Sequence, residues 1–258
     1  MNIPVDSWFN AIYLRHSQRR YSGEKPDEKI TDRLDMVCNG FQPFSGARAV
    51  LVRQPGEDVF RGIIGSYLRV TDAPYYVAFI GDMREPTVQE VTGYLGEGII
   101  LEATVLGLNT CWVGGFFRRD TVARQIDLQN NEHVLAVTPV GYSKDEIDRV
   151  GVSTKVHKRK DFNRLVVNGD FEGSSWIKPA IEAARLAPSA ANRQPWKLEI
   201  GESSIMVSAD SRRLDFGVSR RLDCGIAMLH IELGALSAGV HGKWELLEHP
   251  SVAIYRVN

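Results

Sequence analysis

An internal repeat is the sequence feature that most restricts how this chain can fold. Shifting GYLGEGIILEATVLGLNTCW (93–112) by 132 positions aligns it with GIAMLHIELGALSAGVHGKW (225–244). Shared apolar composition explains part of this match, but the aligned glycines and tryptophans argue against chance. The matched pairs are Gly93 with Gly225, Ile99 with Ile231, Leu101 with Leu233, Ala103 with Ala235, Gly107 with Gly239, and Trp112 with Trp244.

A second, weaker match pairs QPF (42–44) with QPW (194–196) at a shift of 152. The two shifts differ by twenty residues, so the second copy is shorter between the motifs. We therefore predict a tandem duplication. Its first half is residues 1–170, and its shortened second half is residues 171–258.

The spacing of apolar residues predicts the elements within each half. Residues recurring at three- and four-residue steps indicate helices, and runs of β-branched and aromatic residues indicate strands. Helices and strands do not alternate strictly, which favours an α+β fold with antiparallel sheets flanked by helices. The segment 144–170 is polar and basic and is predicted to be a long surface connection. The predicted helices are 5–16, 27–39, 86–107, 176–187 and 219–239, and the predicted strands are 47–52, 75–81, 133–142, 196–200, 204–208, 243–248 and 252–257.

Charge and composition exclude several classes of partner. A net charge of −1 gives no electrostatic basis for binding nucleic acid or a membrane surface. The three widely spaced cysteines, Cys38, Cys111 and Cys224, are predicted to be buried reduced thiols, and without a CxxC pair we expect no metal site. Since the N-terminus lacks a signal-peptide pattern, we expect a cytoplasmic protein.

The first motif with chemical potential is RHSQRR (15–20). In an extended segment Arg15, Ser17 and Arg19 point to the same side because side chains alternate. Two guanidiniums and a hydroxyl suit a phosphate dianion, since hydrogen bonds between charged groups are the strong ones. The alternative is a solvated basic turn that binds nothing.

The second motif is ARLAPSAANRQPW (184–196), where a helical pattern stops at Pro188. Ser189 and Asn192 are short polar side chains, and Ala190 leaves the backbone open to a ligand. Such a loop can offer N–H and C=O groups to the edge of a flat heterocycle. The alternative is an ordinary helix-terminating loop.

Three segments together, RHSQRRY, APSAANRQPW and LGLNTCWVGGF, resemble the FMN-dependent nitroreductase family. The resemblance covers most of the chain and points to the single-chain TM nitroreductase branch, whose tandem halves look like a fused dimer. Family members are intertwined homodimers that bind FMN between subunits. Here the first half keeps the basic motif and the second half keeps the Pro-Ser loop, so the resemblance implies one complete site per chain.

The resemblance also implies roles for individual residues. Relatives carry a cation beside the flavin ring at Arg69 and often an Asn at Ser66, and the backbone after Trp112 lies near flavin N5. A surface arginine is the alternative for Arg69, and a solvated loop for HKRK (157–160). The implied FMN-binding residues are Arg15, His16, Ser17, Arg19, Ser66, Arg69, Val113, Gly114, Gly115, Lys158, Lys160, Pro188, Ser189, Ala190 and Asn192.

The implied activity is an FMN-dependent NAD(P)H oxidoreductase that passes hydride through flavin N5, in a ping-pong cycle, to nitro, quinone or similar small-molecule acceptors. No side chain is expected to act as a nucleophile or general base. Because the halves cover each other's interfaces, we expect a monomer. Two alternatives remain: other flavin redox chemistry on this fold, or a non-catalytic protein whose pocket binds flavin or another small molecule.

Overall fold

The computed structural model describes residues 1–61, 69–153, 158–170, 174–210 and 217–257. Every helix and strand predicted from the sequence has a counterpart whose ends differ by at most two residues. The helices are α1 (Val5–Leu14), α2 (Glu28–Gly40), α3 (Glu57–Phe60), α4 (Val88–Val105), α5 (Arg119–Ala123), α6 (Phe162–Leu165), α7 (Ile177–Leu186) and α8 (Arg220–Ser237). The strands are β1 (Ala47–Val52), β2 (Tyr75–Asp82), β3 (Asn109–Thr110), β4 (Glu132–Gly141), β5 (Val166–Asn168), β6 (Trp196–Ile200), β7 (Ser204–Ala209), β8 (Gly242–Leu246) and β9 (Ser251–Val257).

The two long helices α4 and α8 each have 18 residues, and they begin and end at positions 132 residues apart. Both are buried along most of their length, which explains why their apolar residues occupy every face. Each ends at a glycine with φ of +76°, Gly107 and Gly239. After each glycine, the next N–H donates to the carbonyl five residues earlier, at 2.8 and 3.0 Å, which is a Schellman end.

Close contact between α4 and α8 depends on one glycine from each helix. A Cβ atom on Gly93 would lie 2.0 Å from the carbonyl oxygen of Leu222, and one on Gly225 would lie 1.9 Å from that of Glu90. Gly225 lies 132 positions after Gly93, and Glu90 lies 132 positions before Leu222. Each helix therefore makes the same contact with the other, and the contact is reciprocal. Reciprocal contact of this kind is characteristic of a two-fold interface.

Two sheets flank these helices. In the first, the strand order is β1-β2-β4-β3 and every pair is antiparallel. In the second, the order is β5-β6-β7-β9-β8, and only β5 pairs in parallel, with β6. Helices and mostly antiparallel strands confirm the predicted α+β class.

The segment 144–170 differs from the prediction of a long connection. It contains α6 and β5, and β5 adds to the sheet of the second half although it precedes the predicted boundary at residue 170. β5 could not be predicted from its residues because two of its three side chains are exposed and this edge strand has no alternating apolar pattern.

The main core includes side chains from both predicted halves, for example Trp8 and Trp196. A smaller cluster covers the outer face of the first sheet. Along β2, Val77 and Phe79 belong to the main core, whereas Tyr76 and Ala78 belong to the outer cluster, as alternation along a strand requires. All three cysteines are buried and free, as predicted.

Candidate functional site

A cavity of about 370 Å³ lies between residues of the first and second predicted halves. Its volume falls within the range of roughly 300–1,000 Å³ typical of small-molecule sites. Six of its lining residues precede residue 170 and nine follow it. They are Arg15, Ser17, Arg19, Trp112, Gly114, Arg159, Pro188, Ser189, Ala190, Ala191, Asn192, Val218, Leu222, Asp223 and Ile226.

Three side chains of the first motif, RHSQRR (15–20), reach this cavity because side chains alternate along an extended segment. α1 ends at Leu14, and the chain continues in an extended conformation that places Arg15, Ser17 and Arg19 on the cavity side. Ser17 pairs in parallel with Thr110 of β3, which holds the segment beside the first sheet.

The intervening side chains point the other way, into the protein. His16 is buried, and its Nε2 lies 2.8 Å from the carbonyl oxygen of Asp148. The Gln18 side chain hydrogen-bonds to Ser143. His16 therefore does not line the cavity, although the sequence placed it among the cofactor-binding residues; its contact with Asp148 ties the segment to the rest of the first half.

The second motif forms a loop with an unusual backbone. Pro188 follows the end of α7, and Ala191, Asn192 and Gln194 have φ values of +50°, +53° and +46°. Non-glycine residues rarely adopt this left-handed region, and they keep it only where surrounding contacts hold them. One such contact is the Gln194 N–H, which donates to Ser189 Oγ at 2.8 Å.

Asp223, in the first turn of α8, holds this loop through two hydrogen bonds. Its Oδ1 accepts a hydrogen bond from the Ala190 N–H at 3.1 Å, and its Oδ2 accepts one from Arg193 Nε at 2.7 Å. Burial raises the pKa of Asp223 from 3.8 to about 6, although Arg193 opposes the shift. The residue lines the cavity, so its charge acts both on the loop and on a ligand.

Arg159 is a cavity residue that the sequence analysis missed. Its Nη1 donates to Asn192 Oδ1 and its Nη2 to the Leu186 carbonyl, both at 2.9 Å. Its buried Nε has no hydrogen-bond partner. Burial, and secondarily the charge of Arg15, lower the pKa of Arg159 to about 10. Among the residues that the structure describes, the half-buried Arg159 guanidinium thus keeps one unused donor, which is suited to an anionic ligand.

The neighbouring lysines, which the sequence analysis selected instead, do not line the cavity. Lys158 is exposed, and its carbonyl accepts from Asn192 Nδ2 at 2.9 Å. Lys160 Nζ donates to the Gln194 carbonyl at 2.7 Å and borders a separate depression. In an extended segment 158–160, alternation turns Arg159 toward the cavity and its neighbours away. The alternation of side chains along HKRK (157–160) was therefore the sequence signal that distinguishes Arg159 from its lysine neighbours.

The central turn contributes Trp112 and Gly114 to the cavity. Val113 pairs through its backbone N–H and C=O with Val137, both at 2.9 Å, so it anchors the turn to β4. A Cβ on Gly114 would lie 2.9 Å from the Val218 side chain, which means that only glycine fits at this distance. Gly115 does not line the described cavity.

Two predicted residues remain. Arg69 borders a second, smaller depression formed with Phe60, Arg61, Val70, Thr71 and Asp72, and it does not line the main cavity. Ser66 lies outside the described residues. The structure thus places eight of the predicted residues around one cavity: Arg15, Ser17, Arg19, Gly114, Pro188, Ser189, Ala190 and Asn192.

The cavity lining combines two chemically different kinds of side chain. Arg15, Arg19 and Arg159 supply guanidiniums. Other lining side chains are apolar: Trp112, Val218, Leu222 and Ile226. The last three recur every four residues on one face where α8 begins, and such an apolar face could not be distinguished from a core face by sequence. The arrangement can bind a flat apolar group that carries an anionic tail.

The predicted repeat aligns the cavity with a position that is filled. α2 continues to Gly40 where α7 stops at Leu186, because no proline interrupts the predicted first copy there. Tyr94, which aligns with Ile226, packs against Phe41 and Phe44 with ring centroids 6.2 and 5.1 Å apart. Aromatic side chains therefore occupy the place that corresponds to the cavity.

Among the residues that the structure describes, no helix is long and apolar enough to cross a membrane. Within the same residues, no group of three or more His, Cys, Asp or Glu side chains is placed to hold a metal ion.

A family profile described as "Putative TM nitroreductase" matches residues 7–235. The structure is similar to that of a "putative nitroreductase" from Thermotoga maritima, with 21% sequence identity and a TM-score of 0.66, covering 100% of this chain and 97% of that chain. This shared fold confirms the nitroreductase-like fold class that the sequence predicted. No curated protein matches the sequence.

Two further solved structures show weaker likeness. One is a "Putative NADH dehydrogenase/NAD(P)H nitroreductase" from Bacteroides thetaiotaomicron, 17% identical, with a TM-score of 0.48 over 62% of this chain and 96% of that chain. The other is an "FMN-dependent Nitroreductase" from Clostridium difficile, 18% identical, with a TM-score of 0.45 over 58% of this chain and 98% of that chain.

Proposed function

The chain belongs to the family described as "Putative TM nitroreductase", and on that premise we propose that it is an FMN-dependent NAD(P)H oxidoreductase. Membership in a nitroreductase family supports a general oxidoreductase role. The observation that carries the cofactor assignment is one cavity whose lining combines three guanidiniums with several apolar side chains. A ribityl phosphate and an isoalloxazine ring together need both kinds of lining.

The residues present suit the phosphate. Arg159 Nε is buried without a partner, and Arg15 and Arg19 line the same cavity. Burial, and secondarily the charges of Arg15 and Arg185, lower the pKa of Arg159, so its charged form is unfavourable in the protein alone. A phosphate dianion relieves the repulsion and accepts the unused hydrogen bond.

The remaining side chains suit the ring. Trp112, Leu222 and Ile226 offer apolar surface that excludes water, and the loop 188–192 presents backbone polar groups at the cavity wall. Gly114 allows the chain to pass close to Val218. When bound, FMN supplies hydride transfer at N5 from NAD(P)H to a nitro, quinone or similar acceptor.

The duplication remains part of the proposal. Support comes from the equal lengths and Schellman ends of α4 and α8 and from their reciprocal glycine contacts. The filled equivalent of the cavity supports one FMN per chain. We also propose that the chain is a monomer, which light scattering checks directly.

An absorption titration tests the function. The purified protein is titrated with FMN, and its spectrum is followed before and after anaerobic addition of NADH or NADPH. We expect one FMN per chain and bleaching of the flavin band by at least one reductant. Failure to bind FMN refutes the cofactor, two FMN per chain refute the single site, and a flavin that stays oxidised refutes the oxidoreductase role.

A further inference from the structure

A buried polar cluster lies directly behind the cavity wall. Glu97 of α4 is fully buried, and its Oε2 accepts a hydrogen bond from Trp112 Nε1 at 2.7 Å. Its Oε1 lies 3.0 Å from His230 Nε2 of α8 and 4.0 Å from Arg15 Nε. Two of these partners, Trp112 and Arg15, line the cavity. Glu97 therefore connects the basic motif, the central turn and the helix of the second half.

The hydrogen bonds determine where the protons lie. His230 Nδ1 is 2.8 Å from the Ala183 carbonyl oxygen, and because a carbonyl can only accept, Nδ1 carries a proton. Trp112 Nε1 donates to Glu97 Oε2, and the Arg15 guanidinium lies beside Oε1 of the same carboxyl group. His230 Nε2 lies 3.0 Å from Oε1, so one proton joins these two atoms.

We propose that Glu97 is a positioning residue: its carboxyl group, held by His230, orients the Arg15 guanidinium toward the cavity and fixes the Trp112 indole. The role in cofactor binding rests on the proposed function above. The charged groups around Glu97 come from each neighbouring segment: Arg15 after α1, His230 on α8, and Arg159, whose charge also interacts with Glu97.

The chain contains a matched control for this cluster. Glu232 Oε2 accepts hydrogen bonds from Trp244 Nε1 at 2.8 Å and from Tyr94 Oη at 2.5 Å. It is the same kind of carboxylate–indole contact, but none of its three residues lines the cavity. A change at Glu232 should therefore disturb packing to a similar degree without acting on the site.

Glu97→Gln is the informative variant because it preserves shape. The amide oxygen can still accept from Trp112, and the amide NH₂ can donate to His230 Nε2, so Glu97→Gln removes the carboxyl group beside Arg15 and keeps the other contacts. Glu232→Gln is the control.

Nitrogen-15 NMR of the protein without added flavin gives the first readout. In Glu97→Gln we expect displaced Trp112 Nε1–H and Arg15 Nε–H resonances, because both nitrogens lie beside the carboxyl group that is replaced. In Glu232→Gln we expect both resonances to stay at their wild-type positions. An Arg15 resonance that does not move in Glu97→Gln overturns the proposal whether or not the protein binds flavin.

Flavin affinity gives the second readout, measured with FMN and with riboflavin, which lacks the phosphate. We expect Glu97→Gln to weaken FMN binding by about tenfold, equivalent to about 1.4 kcal/mol, and to leave riboflavin binding nearly unchanged. Glu232→Gln should leave both unchanged. Unchanged or tighter FMN binding in Glu97→Gln overturns the positioning role. If the wild-type protein does not bind FMN, the proposed function fails, and the NMR readout alone decides the role of Glu97.

Discussion

Replacing Gly225 by alanine tests the contact on which the two-part cavity depends. The new Cβ would lie 1.9 Å from the carbonyl oxygen of Glu90. Because unstrained carbon contacts lie at about 3.5–4.0 Å, α4 and α8 must separate by about 1.5 Å or more. The obstacle is helix backbone in the centre of the core, so it cannot rotate away as a side chain could.

The expected loss of stability combines two opposing effects. Overpacking a core costs about 1–3 kcal/mol, and occasionally more. Alanine is a better helix former than glycine by about 1 kcal/mol, which offsets part of this cost. Since the contact here is with backbone, we expect the upper part of the range, a net loss of about 2 kcal/mol in the free energy of unfolding for Gly225→Ala.

Urea unfolding followed by circular dichroism measures this loss, and Gly40→Ala is the control. Gly40 ends α2, and a Cβ there would meet no atom within 4 Å, so its stability should stay equal or rise slightly. Gly93→Ala should match Gly225→Ala, since its Cβ would lie 2.0 Å from the Leu222 carbonyl oxygen.

The double variant sharpens the test. Separating the helices once relieves both clashes, so Gly93→Ala with Gly225→Ala should lose less stability than the two single losses added. Because Leu222 and Ile226 of α8 line the cavity, FMN binding should weaken as well. If Gly225→Ala were as stable as the wild-type protein, the close approach of α4 and α8 described here would be wrong.

Two further predictions concern charged residues of the cavity. Burial raises the pKa of Asp223 from 3.8 to about 6. The contribution of Asp223 to stability is therefore present at low pH and is lost as the pH rises through about 6. Relative to Asp223→Asn, the free energy of unfolding should fall by up to about 3 kcal/mol between about pH 3.5 and pH 6.5. Arg159→Met should weaken FMN binding by about 1.5–3 kcal/mol, because a hydrogen bond to a charged group is lost. The stability of this variant without ligand should change by less than about 1 kcal/mol, because relief of charge burial offsets two lost hydrogen bonds.

Each of these predictions has its own check. For Asp223, chemical unfolding is measured across the pH range, and a difference from Asp223→Asn that grows with pH would contradict the direction of the shift. For Arg159, the matched control is Lys158→Met, because Lys158 is exposed and outside the cavity. Flavin fluorescence titration measures both variants. Equal losses of affinity would mean that the basic run acts only through its overall charge.

The cavity's second wall shows how far local sequence information extends. Pro188 has no N–H and cannot continue α7, so the end of that helix and the following loop were predictable. The same reasoning explains why α2, without a proline at the aligned position, continues to Gly40. Alternation after Leu14 likewise predicted that Arg15, Ser17 and Arg19 share a side.

Residues contributed by distant elements were not predictable in this way. Asp223 and Leu222 lie in a helix whose apolar residues are on every face. Their position at the cavity follows from the glycine contacts between α4 and α8, which join Gly93 to Leu222 and Gly225 to Glu90, residues far apart in the sequence. The lysines next to Arg159 were selected instead of it because all three residues are basic. Charge alone does not show which one lines the cavity.

The sequence by itself determined the helices and strands, the two aligned central segments, and the loop that ends α7, since each depends on residues a few positions apart. The tertiary structure alone decided which face of α8 lines the cavity and that Glu97 meets His230. Those outcomes depend on burial and on contacts between distant segments, and such contacts form only when those segments pack together.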